Sequence, residues 1–112
     1  MQHNPLKYIL DVQSVIQEIE TVKQRCGNNF NQFKSDILLQ RVVERDLEII
    51  GEAIRKILEI QPSAQITAAK NIIGLRSIIS HAYDSIEPEM IWGIIQNNVP
   101  ALAEEIVKLK DT

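Results

Sequence analysis

The sequence is short of the residues that staple or break a chain: among 112 residues there are one cysteine, four glycines, four prolines and five aromatics. A single thiol, Cys26, cannot build a disulfide framework or an all-cysteine zinc site within one chain. Scarce glycine and proline argue against a turn-rich β-sandwich, and 45% hydrophobic content argues against a disordered chain. No uninterrupted apolar stretch exceeds three residues, far short of a membrane span. The start, Met1-Gln2-His3-Asn4-Pro5, lacks the apolar run of a secretory signal, so the expectation is a cytoplasmic chain with no membrane association. Charge of one sign is also missing. Twelve basic against fifteen acidic residues leave a net charge of −3, which gives no global attraction to nucleic acid or anionic lipid. Any contact with phosphate must be local. The length fits one domain, residues 1–112.

What is present is helical periodicity. Asn4-Pro5 reads as a helix start, an N-cap acceptor followed by a proline at the first helical position. Tyr8, Val12, Val15, Ile19, Val22 and Cys26 then recur at alternating spacings of four and three, and Gly27 supplies the stop. This predicts a first helix over about 5–26 and a polar loop over Gly27–Asn31. A second helix is expected from Phe33 or Ser35 to Ile60, ended by Pro62. Leu39, Val42, Val43, Leu47, Ile49, Ile50, Ala53, Ile54 and Ile57 cover about half its circumference, so it packs against two neighbours. Its outer half carries Arg41, Glu44, Arg45, Glu48, Glu52 and Arg55, spaced for surface ion pairs. A third helix is expected over about 65–83 and a fourth from Pro88 to about Leu109, kinked by Pro100. The fold class is all-α: an antiparallel up-and-down four-helix bundle whose surplus apolar surface predicts a dimer.

One residue breaks the second helix's pattern. Asp46 falls within the apolar half, where a carboxylate must be bonded, ion-paired or set in a cleft. A polar group of the third or fourth helix, Arg76 above all, is its expected partner. Metal chemistry finds little support: no Glu-x-x-His occurs, and His3, His81 and Cys26 cannot close a zinc site. Ser80, His81 and Asp84 make a triad only on paper, because adjacent residues of one helix point apart.

What remains is Arg76-Ser77-Ile78-Ile79-Ser80-His81-Ala82-Tyr83. On an ideal helix Arg76 and Tyr83 nearly eclipse, whereas His81 lies about 140° from Arg76, so a site using both would form between helices or between chains. Lys70, Gly74, Ser77 and His81 make a second polar stripe at four-three-four spacing.

Arginine, four residues, histidine, one residue and tyrosine, near the end of a third helix, resemble the HEPN superfamily. The segment Arg45-Asp-Leu-Glu-Ile-Ile-Gly-Glu-Ala53 resembles the helix-two segment of its HepT branch, which carries asparagine where Asp46 stands here. Ile72-Ile-Gly-Leu-Arg76, Ile91-Trp92 and Val99-Pro100 are similar to that branch too, so the resemblance runs from about Tyr8 to Leu109. It implies a homodimeric, metal-independent endoribonuclease that needs no cofactor and acts as the toxin of a toxin–antitoxin pair. The implied partner is a minimal nucleotidyltransferase antitoxin that transfers AMP to the motif tyrosine. Carried over, Arg76 and His81 are catalytic and Tyr83 is the adenylylation site, with Asp46 and Ser77 in support. The alternative is a HEPN bundle without catalysis that serves as the binding partner of a nucleotidyltransferase.

Overall fold

A computed structural model describes residues 4–67 and 87–111. The first helix, α1, spans Leu6–Arg25. Asn4 caps it as expected, its side-chain oxygen accepting from the Leu6 N–H at 2.8 Å. At the other end the Gly27 N–H donates to Gln24 and the Asn28 N–H to Lys23, at 2.9 and 2.8 Å. Gly27 and Asn28 both take positive φ, 61° and 52°, which closes a Schellman turn that glycine and asparagine tolerate best.

The loop expected next contains a helix of its own. Asn29 accepts from the Gln32 N–H and starts α2, Phe30–Lys34. Asp36 then caps α3, Ile37–Ile60, by accepting from the Leu39 N–H. The second long helix therefore starts at Ile37, later than its apolar pattern suggested, because two cap residues divide the segment. The buried Gln40 seals the junction: its amide donates to the carbonyls of Phe33 and Lys34 at 3.0 and 2.9 Å, satisfying the end of α2. At its far end α3 stops at Ile60 ahead of Pro62, as expected. Arg55 spans Glu52 and Glu59 on the wet face at 2.7 and 3.1 Å.

Gln65–Thr67, read from the sequence as the beginning of a third helix, is irregular, and the rest of that helix lies outside the described residues. Thr67 donates its N–H and hydroxyl to Glu105, at 3.0 and 2.9 Å. The C-terminal helix begins as α4, Pro88–Gly93, passes through a π-helical turn at Ile94–Asn98 and ends as α5, Val99–Lys110. The kink expected at Pro100 takes the form of this wide turn. The Val99 N–H reaches back to Ile94, and the extra residue relieves the clash that a proline ring makes with the turn before it.

These elements form an all-α bundle, with no strand among the described residues. The most extensive packing is α1 on α3; α5 lies on α1, and α2 with α4 covers the start of α3. Tyr8 shares a groove with Lys56, Glu59 and Ile60, so α1 and α3 run antiparallel. Gln96 donates to Asn28 at 2.8 Å at one end of the bundle, and Glu105 holds Thr67 after α3 at the other. The C-terminal helix therefore runs with α3 and against α1, the directions an up-and-down bundle requires of its first, second and fourth helices. No helix among the described residues is long and apolar enough to cross a membrane.

Phe33 is fully buried and packs on Trp92 with ring centroids 5.2 Å apart, while Phe30 meets the same indole at 5.9 Å. This clip fastens α2 to α4. Phe33→Ala should cost about 3–5 kcal/mol, because it empties a closed site between two short helices. Urea unfolding checks this as a lowered midpoint at unchanged slope.

Candidate functional site

The seam between α1 and α3 is built from Val12, Ile16 and Ile19 on one side and Val43, Leu47, Ile50 and Ile54 on the other, all buried. Asp46 belongs to this dry set. It is 3% exposed, as its helical phase predicted, and among the described residues it and Gln40 are the buried polar side chains. Gln40 is satisfied; the Asp46 Oδ2 has no hydrogen-bond partner among them. The group that faces Asp46 comes from the first helix: Glu18 of α1, an exposed residue at the edge of the seam.

Burial pushes the Asp46 carboxyl up to about 7, helped by its hydrogen bond to Glu18 and by the charge of that carboxylate, while Arg45 pulls weakly the other way. Near neutrality Asp46 is therefore a proton donor as much as an acceptor. The lone thiol has no such poise: Cys26 is buried at the end of α1, and burial followed by the charge of Asp36 raises its pKa, so it is a core residue rather than a nucleophile. Among the described residues, no three His, Cys, Asp or Glu side chains are grouped to hold a metal ion.

Of the site residues read from the sequence, Asp46 is thus in place, on the inner half of the second long helix. Arg76, Ser77, His81 and Tyr83 lie outside the described residues, as does any contact between Arg76 and Asp46. What borders their segment is described. Beyond α3, a groove of about 380 Å³ is lined by Gln61, Ser63, Ala64, Glu105 and Lys108, and the chain leaves it at Thr67. Glu18 was not singled out in the sequence. On α1 it reads as one more solvated acid, and only the register of α1 on α3 sets it against Asp46.

An all-α bundle with an Arg-x₄-His-x-Tyr segment ahead of its last helix is of the HEPN type. The chain belongs to the ribonuclease HepT-like family, whose profile matches residues 15–109. It is similar to a protein of Caldanaerobacter subterraneus subsp. tengcongensis named "Putative RNase", with 30% identity over 100 residues, 88% of this chain and 89% of the other. A protein of the same designation from Methanocaldococcus jannaschii is 37% identical over 82 residues, 71% of this chain and 67% of that one. "Probable ribonuclease HepT" of Thermococcus cleftensis is 27% identical over 115 residues, covering 98% and 99% of the two chains. No solved structure matches the chain.

The raised Asp46 carboxyl makes stability depend on pH in a definite direction. Folding raises this group's affinity for a proton, so the stability it confers is fully present below about pH 4. That stability is lost as pH rises toward about 7, and the dependence flattens above that. Asp46→Asn removes this dependence. The variant should gain on wild type across that window, by on the order of a few kcal/mol at pH 8. Chemical unfolding of both proteins at pH 5 and pH 8 measures the difference.

Proposed function

We propose that this protein is a metal-independent endoribonuclease acting in the cytoplasm as the toxin of a toxin–antitoxin pair. The observation that carries this reading is the Arg76-x₄-His81-x-Tyr83 segment, which falls within the stretch matched by a ribonuclease family. Cleavage without a metal has three requirements. The 2′-hydroxyl must lose its proton as it attacks phosphorus, the departing 5′-oxygen must gain one, and the crowded phosphorane must have its charge offset. His81 titrates in the range suited to the proton transfers. Arg76 keeps its charge at any physiological pH and presents a fork of donors to the phosphoryl oxygens. Ser77, beside Arg76, supplies a further hydrogen-bond donor, and Asp46 serves as a supporting group on the second long helix.

The acting form in this proposal is a homodimer, able to stack into larger assemblies. Two copies bring two His81 and two Arg76 into one cleft, so that acid and base come from separate chains. The apolar arc of α3 does not supply the surface for this, since Val43, Leu47, Ile50, Ile54 and Ile57 are consumed within the chain. Exposed apolar residues remain instead at Ile37 and Leu38, which open α3, and at Met90 in the first turn of α4. Lys34 pairs with Glu89 at 3.6 Å close by, which puts these residues at one end of the bundle. The partner that silences the enzyme is a minimal nucleotidyltransferase antitoxin, which transfers AMP to Tyr83. On an ideal helix Tyr83 stands about 20° from Arg76, so the added phosphate meets the guanidinium where the RNA phosphate binds.

Purified protein at micromolar concentration should scatter light with at least twice the mass of the 12.8 kDa chain. It should cut RNA in the presence of a chelator. Arg76→Ala and His81→Ala should each lower the cleavage rate by about 10²-fold or more. Tyr83→Phe should keep most of the cleavage and escape silencing by AMP transfer. Expression of His81→Ala at wild-type toxicity would replace this reading with that of a non-catalytic binding partner of the nucleotidyltransferase.

A further inference from the structure

We propose that Asp46 and Glu18 hold one shared proton across the α1–α3 seam, and that its release is a built-in switch that loosens the seam as the medium turns from acid to alkaline. This inference is independent of the ribonuclease reading; it concerns the scaffold and survives or fails on its own measurement.

Three observations carry it. The first is position: Asp46 is 3% exposed in the middle of the apolar face of α3, between Val43, Leu47 and Ile50, which are fully buried. The second is an open valence, the buried Oδ2 without a partner among the described residues. An ionised carboxylate at such a place needs donors, and those described around it supply none to that oxygen.

The third is register. Tyr8 and Lys56 line one groove, so an antiparallel pair of helices brings Glu18, ten residues further along α1, opposite Asp46, ten residues back along α3. The facing group is thus another acid. Among the described residues the charged groups acting on Asp46 are Glu18 from α1 and Arg45 on its own helix. Arg45 is exposed and its effect is the smallest of those acting on Asp46; α2 and the C-terminal helix contribute none. Two acids side by side with one of them buried hold a proton between them, the Asp46 O–H donating to the Glu18 carboxylate.

When that proton passes to solvent, two anions remain across the largest packing surface of the described bundle, one of them sealed from water. The pair can separate only if Glu18 swings outward or if water enters beside Asp46. Either change weakens the seam locally. The molecule carries no compensating donor there among the described residues, so the proton itself is the linking group.

Carbon-detected NMR of the full chain, labelled at its carboxyl carbons, reads the titration directly. In wild type the Asp46 carboxyl should titrate at least two pH units above an ordinary aspartate, and Glu18→Gln should bring that midpoint down by about one unit or more. Amide exchange, corrected for its intrinsic pH dependence, should accelerate across the same window at Ile16, Ile19, Val43 and Leu47 in wild type but not in Asp46→Asn. An Asp46 carboxyl that titrates near pH 4, or a midpoint unmoved by Glu18→Gln, overturns the shared proton. A raised midpoint with exchange equal in wild type and Asp46→Asn overturns the switch. Because the first readout is made on wild type, a variant that fails to fold does not remove the test.

Discussion

The antiparallel packing of α1 on α3 is the constraint from which the rest of this bundle follows. Val12, Ile16 and Ile19 meet Val43, Leu47, Ile50 and Ile54 with almost no surface left to water. Each such side chain contributes roughly 1.5–3 kcal/mol on leaving water, against a conformational entropy cost of similar size. A narrow stripe on α1 facing a wide arc on α3 leaves α3 with apolar surface for another neighbour. The C-terminal helix and α2 take part of it at the start of α3.

The same seam explains why Asp46 behaves unlike the other acids. Most carboxylates of this chain lie on wet faces, several in pairs such as Arg55 with Glu52, where a charge costs little and gains little. Asp46 occupies a place the packing would give to an aliphatic residue. Once there, it keeps its proton into the neutral range, and its nearest charged neighbour is an acid rather than a base. In the protonated state it has the shape of the asparagine found in the segment it resembles, with one donor and one acceptor on the same planar group. The departure from that pattern is therefore smaller near neutral pH than the change from amide to acid suggests.

The ends of the bundle are fastened by different means. At one end the Phe30–Phe33–Trp92 clip, the Gln40 amide and the Gln96–Asn28 bond tie α2, α3 and the C-terminal helix together. At the other, Glu105 takes both donors of Thr67 and holds the chain as it leaves for the segment that carries Arg76 and His81. The π turn ahead of Pro100 lies between these fastenings. A scaffold pinned at both ends suits chemistry that depends on a guanidinium and an imidazole keeping a fixed separation.

Local sequence determined the helices, their caps and their class. Asn4 and Pro5, the Gly27 stop and the Pro62 break act within a turn of themselves, so they are legible without any fold. The phase of Asp46 was legible for the same reason, since a helix repeats every 3.6 residues whatever it packs against. The motif Arg76, Ser77, His81 and Tyr83 was likewise read from spacing, and with it membership of a ribonuclease family. Other features waited for tertiary structure. The short helix α2 depends on Phe33 finding Trp92, a residue far along the chain, and its five residues carry too little periodicity to announce themselves. The π turn is a compromise between Pro100 and the surface that Ile94, Ile95 and Val99 must bury. The partner of Asp46 could not be named from either helix alone, because Glu18 meets it only through the register of α1 on α3, and register is set by the fit of the whole seam.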